Sequence, residues 1–211
     1  QLKKQDNTNG NLNYPIECIE IAKDGAQYVD NFSRFAIENI KPDKRTRKKV
    51  NIHKVFNYVF DIFSATLKKM DIQTEVNLKT PDADYEVYAF EIDWESIAIN
   101  FMTNSIWAIE SNRDRTKPRI VVDITEHDGE IELTYKDSGV GLDEGSEDTI
   151  FIPMHSGKRD IRGNVIGTGM GLAIVKTHVE DHMNGSITAK AQSDLGGAEF
   201  TIKVPTRGVS K

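Results

Sequence analysis

The sequence predicts an α/β two-layer sandwich, with three helices on one face of an antiparallel or mixed sheet and the other face free or docked. Three observations carry this reading. Apolar residues recur at helical spacing over 51–70, 93–110 and 169–183. Segments 119–125 (RIVVDIT) and 130–136 (EIELTYK) flank a turn holding Asp128-Gly129, a strong short-range hairpin signal. Two further strands, 186–192 and 198–204, close the chain.

The elements follow in order. Residues 1–14 are polar and Asn-rich, the composition of a disordered lead-in. Over 26–40, Val29, Phe32, Phe35 (or Ala36) and Ile40 mark an amphipathic helix. The next stretch, KPDKRTRKK (41–49), carries six basic residues and one Asp. It reads as a solvated connector or as a docking patch for an acidic partner or anionic lipid. From Asn51, a plausible cap, Ile52, Val55, Phe56, Val59, Phe63, Leu67 and Met70 form one helical stripe. Alternation over 72–78 reads as a strand. The helix 93–110 runs into polar SNRDRTKP, ending at Pro118. Residues 142–167 are polar, glycine-containing and poorly periodic, too long for an ordinary connection and so functional or mobile. Asn184-Gly185 stops the third helix.

Composition removes several function classes. The 211 residues suffice for one domain of ~150 plus a flanking element. A net charge of −6 disfavours a broad nucleic-acid surface, and no nucleic-acid partner is expected. The lone cysteine, Cys18, excludes a disulfide framework and a Cys-rich zinc site. There is no run of 18 apolar residues and no signal-peptide pattern. A start at Gln1 rather than Met fits a piece of a longer protein.

Four constellations could carry chemistry. Asn100 and Asn104 share one face of their helix, four residues apart. Their carboxamides are either structural or oxygen ligands of the kind magnesium takes. Asp137-Ser-Gly139-Val-Gly141 leaves the second hairpin strand, so a carboxylate stands where backbone can approach a flat ligand and accept from an exocyclic amine. The spacing does not fit a helix–loop–helix calcium loop. Gly167-Thr168-Gly169-Met170-Gly171-Leu172 opens the third helix and matches neither the dinucleotide fingerprint nor the Walker A loop. Lys158 lies in the segment before it, within reach of a phosphate if that segment closes. His178 and His182 have metal-ligand spacing, but Asp181 faces elsewhere and no third ligand is evident, so zinc is not expected.

In order, IAINFMTNSIWAI, DSGVG, FIPMHSGK, GTGMGLAIVK and GGAEFTIKVP resemble the N, G1, F and G2 boxes and closing strand of the Bergerat-type ATP-binding fold. Sensor histidine kinases, Hsp90-type chaperones, type II topoisomerases and MutL-type repair proteins share that fold. The resemblance spans roughly 50–206 and implies a mixed, mainly antiparallel sheet covered on one face by three helices. It implies ATP and Mg2+ as ligands. Asn104 resembles the magnesium ligand, with Asn100 assisting one turn earlier, and Asp137 resembles the reader of the adenine amino group. Gly139 and Gly141 resemble the residues that let the base lie on backbone. Lys158, Gly167, Thr168, Gly169, Met170, Gly171 and Leu172 resemble the lid and phosphate-covering turn.

The hydrolytic branches usually carry glutamate where this chain has Asn100, and an amide is no general base. The resemblance is therefore closest to the sensor histidine kinase branch. Its rivals are an ATP-gated switch of the chaperone or repair type and a non-catalytic interaction domain. The kinase reading implies residues 15–49 as a remnant of the dimerisation helix and connector, 50–207 as the ATP-binding domain, and a lid over about 142–167. It implies dimerisation and phosphoacceptor helices and a receiver domain as partners, a homodimeric parent and a cytoplasmic location. None of the five histidines (53, 127, 155, 178, 182) sits in the expected acceptor setting, which places the acceptor outside this chain or makes it a variant. Glu199 stands where many of these kinases have Thr, a departure expected to alter water near the base.

Overall fold

The computed structural model describes residues 46–112, 117–155 and 169–207. The chain divides into two units, Gln1–Lys41 and Pro42–Lys211. The first lies outside the described residues, and with it the expected lead-in and the helix over 26–40.

Among the described residues, seven strands form two sheets. The larger has five strands: β2 (Gln73–Leu78), β4 (Arg119–His127), β5 (Glu130–Asp137), β7 (Glu199–Pro205) and β6 (Ser186–Lys190), side by side in that order. Its β2–β4 pair is parallel and the rest antiparallel. The smaller sheet pairs β1 (Arg47–Asn51) with β3 (Glu86–Phe90). The α-helices among the described residues are α1 (Ile52–Ile62), α2 (Ser64–Lys69), α3 (Glu91–Ser111) and α4 (Gly171–Thr177), with a 3-10 turn at Thr149–Phe151 and with α4 continued by a π-helical turn, His178–His182. This is the α/β sandwich, mixed and mainly antiparallel, that the sequence predicts.

Local chemistry explains the boundaries. Asn51 caps α1: its Oδ1 accepts from the Lys54 N–H at 3.0 Å, and its Nδ2 donates to the Asp84 carbonyl at 2.9 Å. The stripe over 51–70 breaks into α1 and α2 at Phe63, whose ψ of 4° leaves the helical range. The hairpin turns at Asp128 and Gly129, both at positive φ (52° and 80°), the signature of a tight two-residue turn. Ile131, Leu133 and Tyr135 alternate toward one face of β5 and are fully buried there.

Two strands escape the periodicity. Residues 47–49, read as the end of a solvated connector, form most of β1. Their charges are partly used within the fold, since Lys48 pairs with Glu91 at 2.8 Å and Lys49 with Glu86 at 3.1 Å. Strand β3 is five residues long, follows a turn-rich segment and runs directly into α3, leaving no room for a visible alternation.

Helix α3 is the centre of the domain. At 21 residues it buries Trp94, Ile97, Phe101, Met102, Ile106 and Ile109, more than a single stripe, because α1, α4 and the sheet all pack on it. The Phe101 ring stacks on Phe200 with centroids 4.9 Å apart and lies equally close to Tyr135. Phe101→Ala is expected to destabilise the domain by about 3–5 kcal/mol, measured as a lower denaturant midpoint with an unchanged slope.

Candidate nucleotide site

The site grows from the last residue of β5. Asp137 is buried at 2% exposure. Its carboxylate accepts from the Ser105 hydroxyl at 2.7 Å and from the Gly139 N–H at 2.8 Å. A further hydrogen bond comes from the Ala198 backbone. A carboxylate offers about four lone-pair positions, so three donors leave capacity for one more. Burial is the largest influence on its ionisation and raises its pKa; the hydrogen bonds from Ser105, Gly139 and Ala198 oppose that without cancelling it.

Helix α3 holds the loop after β5 against itself. The Ala108 carbonyl accepts the Val140 N–H at 3.2 Å, and Asn112 Nδ2 donates to the Ser138 carbonyl at 3.2 Å. Gly141, at φ +75°, turns the chain so that the Leu142 N–H reaches the Ala191 carbonyl at 2.9 Å. Gly197 lies so close to Asp137 that any Cβ there would overlap Asp137 Oδ1, so only glycine fits. Sequence reasoning missed Ser105 and Gly197. Ser105 hides directly after two more conspicuous asparagines, and Gly197 shows its role only through its close contact with Asp137.

The two asparagines behave differently. Asn100 Nδ2 donates back to the Ser96 carbonyl at 2.8 Å. Its Oδ1 faces Gly171, where a Cβ would come within 2.5 Å of it. This contact brings the middle of α3 to the first residue of α4. Asn104, one turn on and half-buried, makes no side-chain hydrogen bond among the described residues. A carboxamide oxygen without a protein donor is a donor atom of the type Mg2+ takes, so the residue fits that ion.

Among the remaining predicted residues, Gly169 has φ +64° and its carbonyl accepts the Met154 N–H at 3.1 Å, which ties the start of the third helix to the end of the 142–155 segment. Met170 precedes α4, and Leu172 is its half-buried second residue. Lys158, Gly167 and Thr168 lie outside the described residues. Glu199 does not act beside Asp137. Strand register puts its side chain on the opposite sheet face, where it pairs with Lys190.

The family profile described as "Histidine kinase-, DNA gyrase B-, and HSP90-like ATPase" matches residues 91–208. The chain belongs to this family. Its sequence is 29% identical over 197 residues to sensor histidine kinase ZraS of Salmonella typhi, covering 90% of this chain and 38% of that protein. It is also 29% identical over 170 residues to the sensory histidine kinase/phosphatase NtrB of Escherichia coli O157:H7, covering 77% of this chain and 45% of that one. The chain thus spans about two fifths of the length of these relatives. Its fold is similar to the catalytic domain of histidine kinase ThkA, with a TM-score of 0.64 at 22% identity, covering 76% of this chain and 98% of the other. No helix among the described residues is long and apolar enough to cross a membrane.

The buried carboxylate has a consequence for stability. Because the folded pKa of Asp137 is raised above its unfolded value, ionised Asp137 costs stability above that folded pKa, and the cost disappears as pH falls and the carboxyl protonates. Asp137→Asn should therefore raise the melting temperature of the nucleotide-free protein near neutral pH. The gain should shrink as pH is lowered toward the ordinary carboxylate range, measured by thermal melts across that window.

Proposed function

We propose that this domain binds Mg-ATP and transfers its γ-phosphoryl to a histidine on a helix outside the described residues. One observation carries the reading: a buried carboxylate with spare acceptor capacity lies against the same helix, α3, that carries a carboxamide unpartnered among the described residues and touches the glycine that starts α4. The family match and the kinase relatives support the same conclusion.

In this reading Asp137 accepts the exocyclic amine of adenine, and Gly139 and Gly141 supply the flat backbone on which the base rests. Asn104 supplies an oxygen ligand to magnesium, with Asn100 setting the distance between α3 and α4. When bound, magnesium neutralises charge on the phosphates. Gly169, Met170, Gly171 and Leu172, with Gly167 and Thr168 before them, cover the phosphate chain, and Lys158 approaches it from the lid. A nitrogen of the acceptor imidazole attacks the γ-phosphorus, the bond to the bridging oxygen breaks, and ADP leaves. The work of the protein is positioning and charge neutralisation.

Hydrolysis is a poor competitor because Asn100 is an amide whose nitrogen is already committed to Ser96. The partner helix has an apolar landing surface: Ile152, Met154 and Ile174 are 53%, 82% and 38% exposed beside the start of α4. We further assign the parent protein as a cytoplasm-facing homodimer whose phosphohistidine gives up its phosphoryl group to a receiver domain, regenerating the free imidazole.

Two measurements test this. A longer chain incubated with γ-labelled ATP should acquire alkali-stable, acid-labile label on protein; label found only as free phosphate would favour an ATP-gated switch. Asn104→Ala should weaken Mg-ATP binding by roughly tenfold or more, about 1.4 kcal/mol, while changing magnesium-free ADP binding much less. Calorimetric titration of the two nucleotides checks this difference.

A further inference from the structure

His178 and His182 do have a third donor beside them. Asp93, two residues into α3 and 89 positions before His182, lies against both rings. His182 Nδ1 is 2.8 Å from Asp93 Oδ2, His178 Nδ1 is 3.3 Å from Asp93 Oδ1, and the two Nδ1 atoms are 3.3 Å apart. With one ligand atom taken from each residue, the three lie within 4.8 Å of one another.

We propose that Asp93, His178 and His182 form a binding site for a divalent transition-metal ion, Zn2+ by its chemistry, separate from the nucleotide site. With Zn–ligand bonds of about 2.0–2.1 Å, a tetrahedral ion holds its ligands about 3.3–3.4 Å apart, the spacing of His178 Nδ1 from both Asp93 Oδ1 and His182 Nδ1. Two imidazoles and one carboxylate suit zinc and exclude magnesium and calcium, which take oxygen. Three protein ligands leave a fourth position for water.

Both histidines turn the same ring nitrogen, Nδ1, toward the Asp93 carboxylate and toward each other, so with both Nδ1 atoms unprotonated two lone pairs and a carboxylate oxygen face a common space that a cation can fill. The Asp93 side chain is 6% exposed and that of His182 is 40% exposed, which gives a fixed anion inside and an entry path outside. Backbone geometry contributes: the switch from α4 to the π-helical turn at His178 sets where the two rings project. Arg47 Nη2 donates to the His182 carbonyl at 2.7 Å and fixes the end of that turn.

Asn104 is 11 residues beyond Asp93 on α3, ~16 Å along the axis. An ion at the trio would join the start of α3 to the extension of α4, the two helices that carry the phosphate side of the nucleotide site.

The experiment uses the whole 211-residue chain, stripped with a chelator and titrated with zinc against a chromophoric competitor. One ion per chain should bind, and zinc should raise the melting temperature. His178→Gln and His182→Gln should each weaken binding by roughly tenfold or more, while His127→Gln, on the distant hairpin, should not. Cobalt(II) added to the wild-type protein should give the intense visible bands of a tetrahedral site, a readout that needs no variant to fold. Zinc uptake unchanged in both helix variants, no uptake by the stripped wild type, or only the weak absorption of octahedral cobalt would each overturn the proposal.

Discussion

A carboxylate buried at the end of a central strand is the constraint around which the domain is arranged. Asp137 has almost no contact with water, so protein donors must solvate it. Those donors come from separate places: a hydroxyl on α3, an amide in the loop after β5, and the backbone of Ala198 just before β7. Each must stay at hydrogen-bonding distance for the charge to be tolerated. The arrangement therefore fixes α3 against the sheet and leaves Gly197 no room for a side chain. Stability is lost to keep an ionised group in place, a pattern expected where the group has a ligand to meet.

Helix α3 transmits that constraint. Its apolar residues, with Phe101 wedged against Phe200 and Tyr135, set its rotation, and the rotation fixes where every polar residue on it points. Ser105 then meets Asp137, Asn100 meets the first residue of α4, and Asn104 is left with its carboxamide oxygen uncommitted. At the other end, the same rotation turns Asp93 toward the histidines that follow α4. One rigid element thus lines up the proposed adenine carboxylate, the proposed magnesium ligand and the proposed metal trio. Site residues carried on a packed helix are placed more exactly than residues on loops could be.

Much of this was legible in the sequence, and the reasons differ by element. The β4–β5 hairpin was readable because Asp128-Gly129 suits only one kind of turn, and α3 because its apolar run is long. Strand β1 was hidden by lysines whose ion pairs with Glu86 and Glu91 do not show in a linear pattern. Asp137 stood out because it leaves a strand just before two glycines. Ser105 did not, since a serine amid a buried helix shows its purpose only when its acceptor, 32 positions away, is known. Asp93 was missed for the same reason: local spacing revealed the two histidines, and only the packing of α3 against the π-helical turn supplied the third ligand. The expected influence of Glu199 near the base failed because strand alternation turns its side chain to the other sheet face.

The central claim is that the Asp137 carboxylate reads the adenine amino group, and the most direct test is calorimetric titration of the wild-type and Asp137→Asn proteins with Mg-ATP and with Mg-GTP. The account predicts that wild type binds ATP and discriminates strongly against GTP, whose ring carries a carbonyl where adenine has its amine, while the folded Asn variant loses ATP binding. An Asp137→Asn protein that binds ATP as tightly as wild type would contradict it.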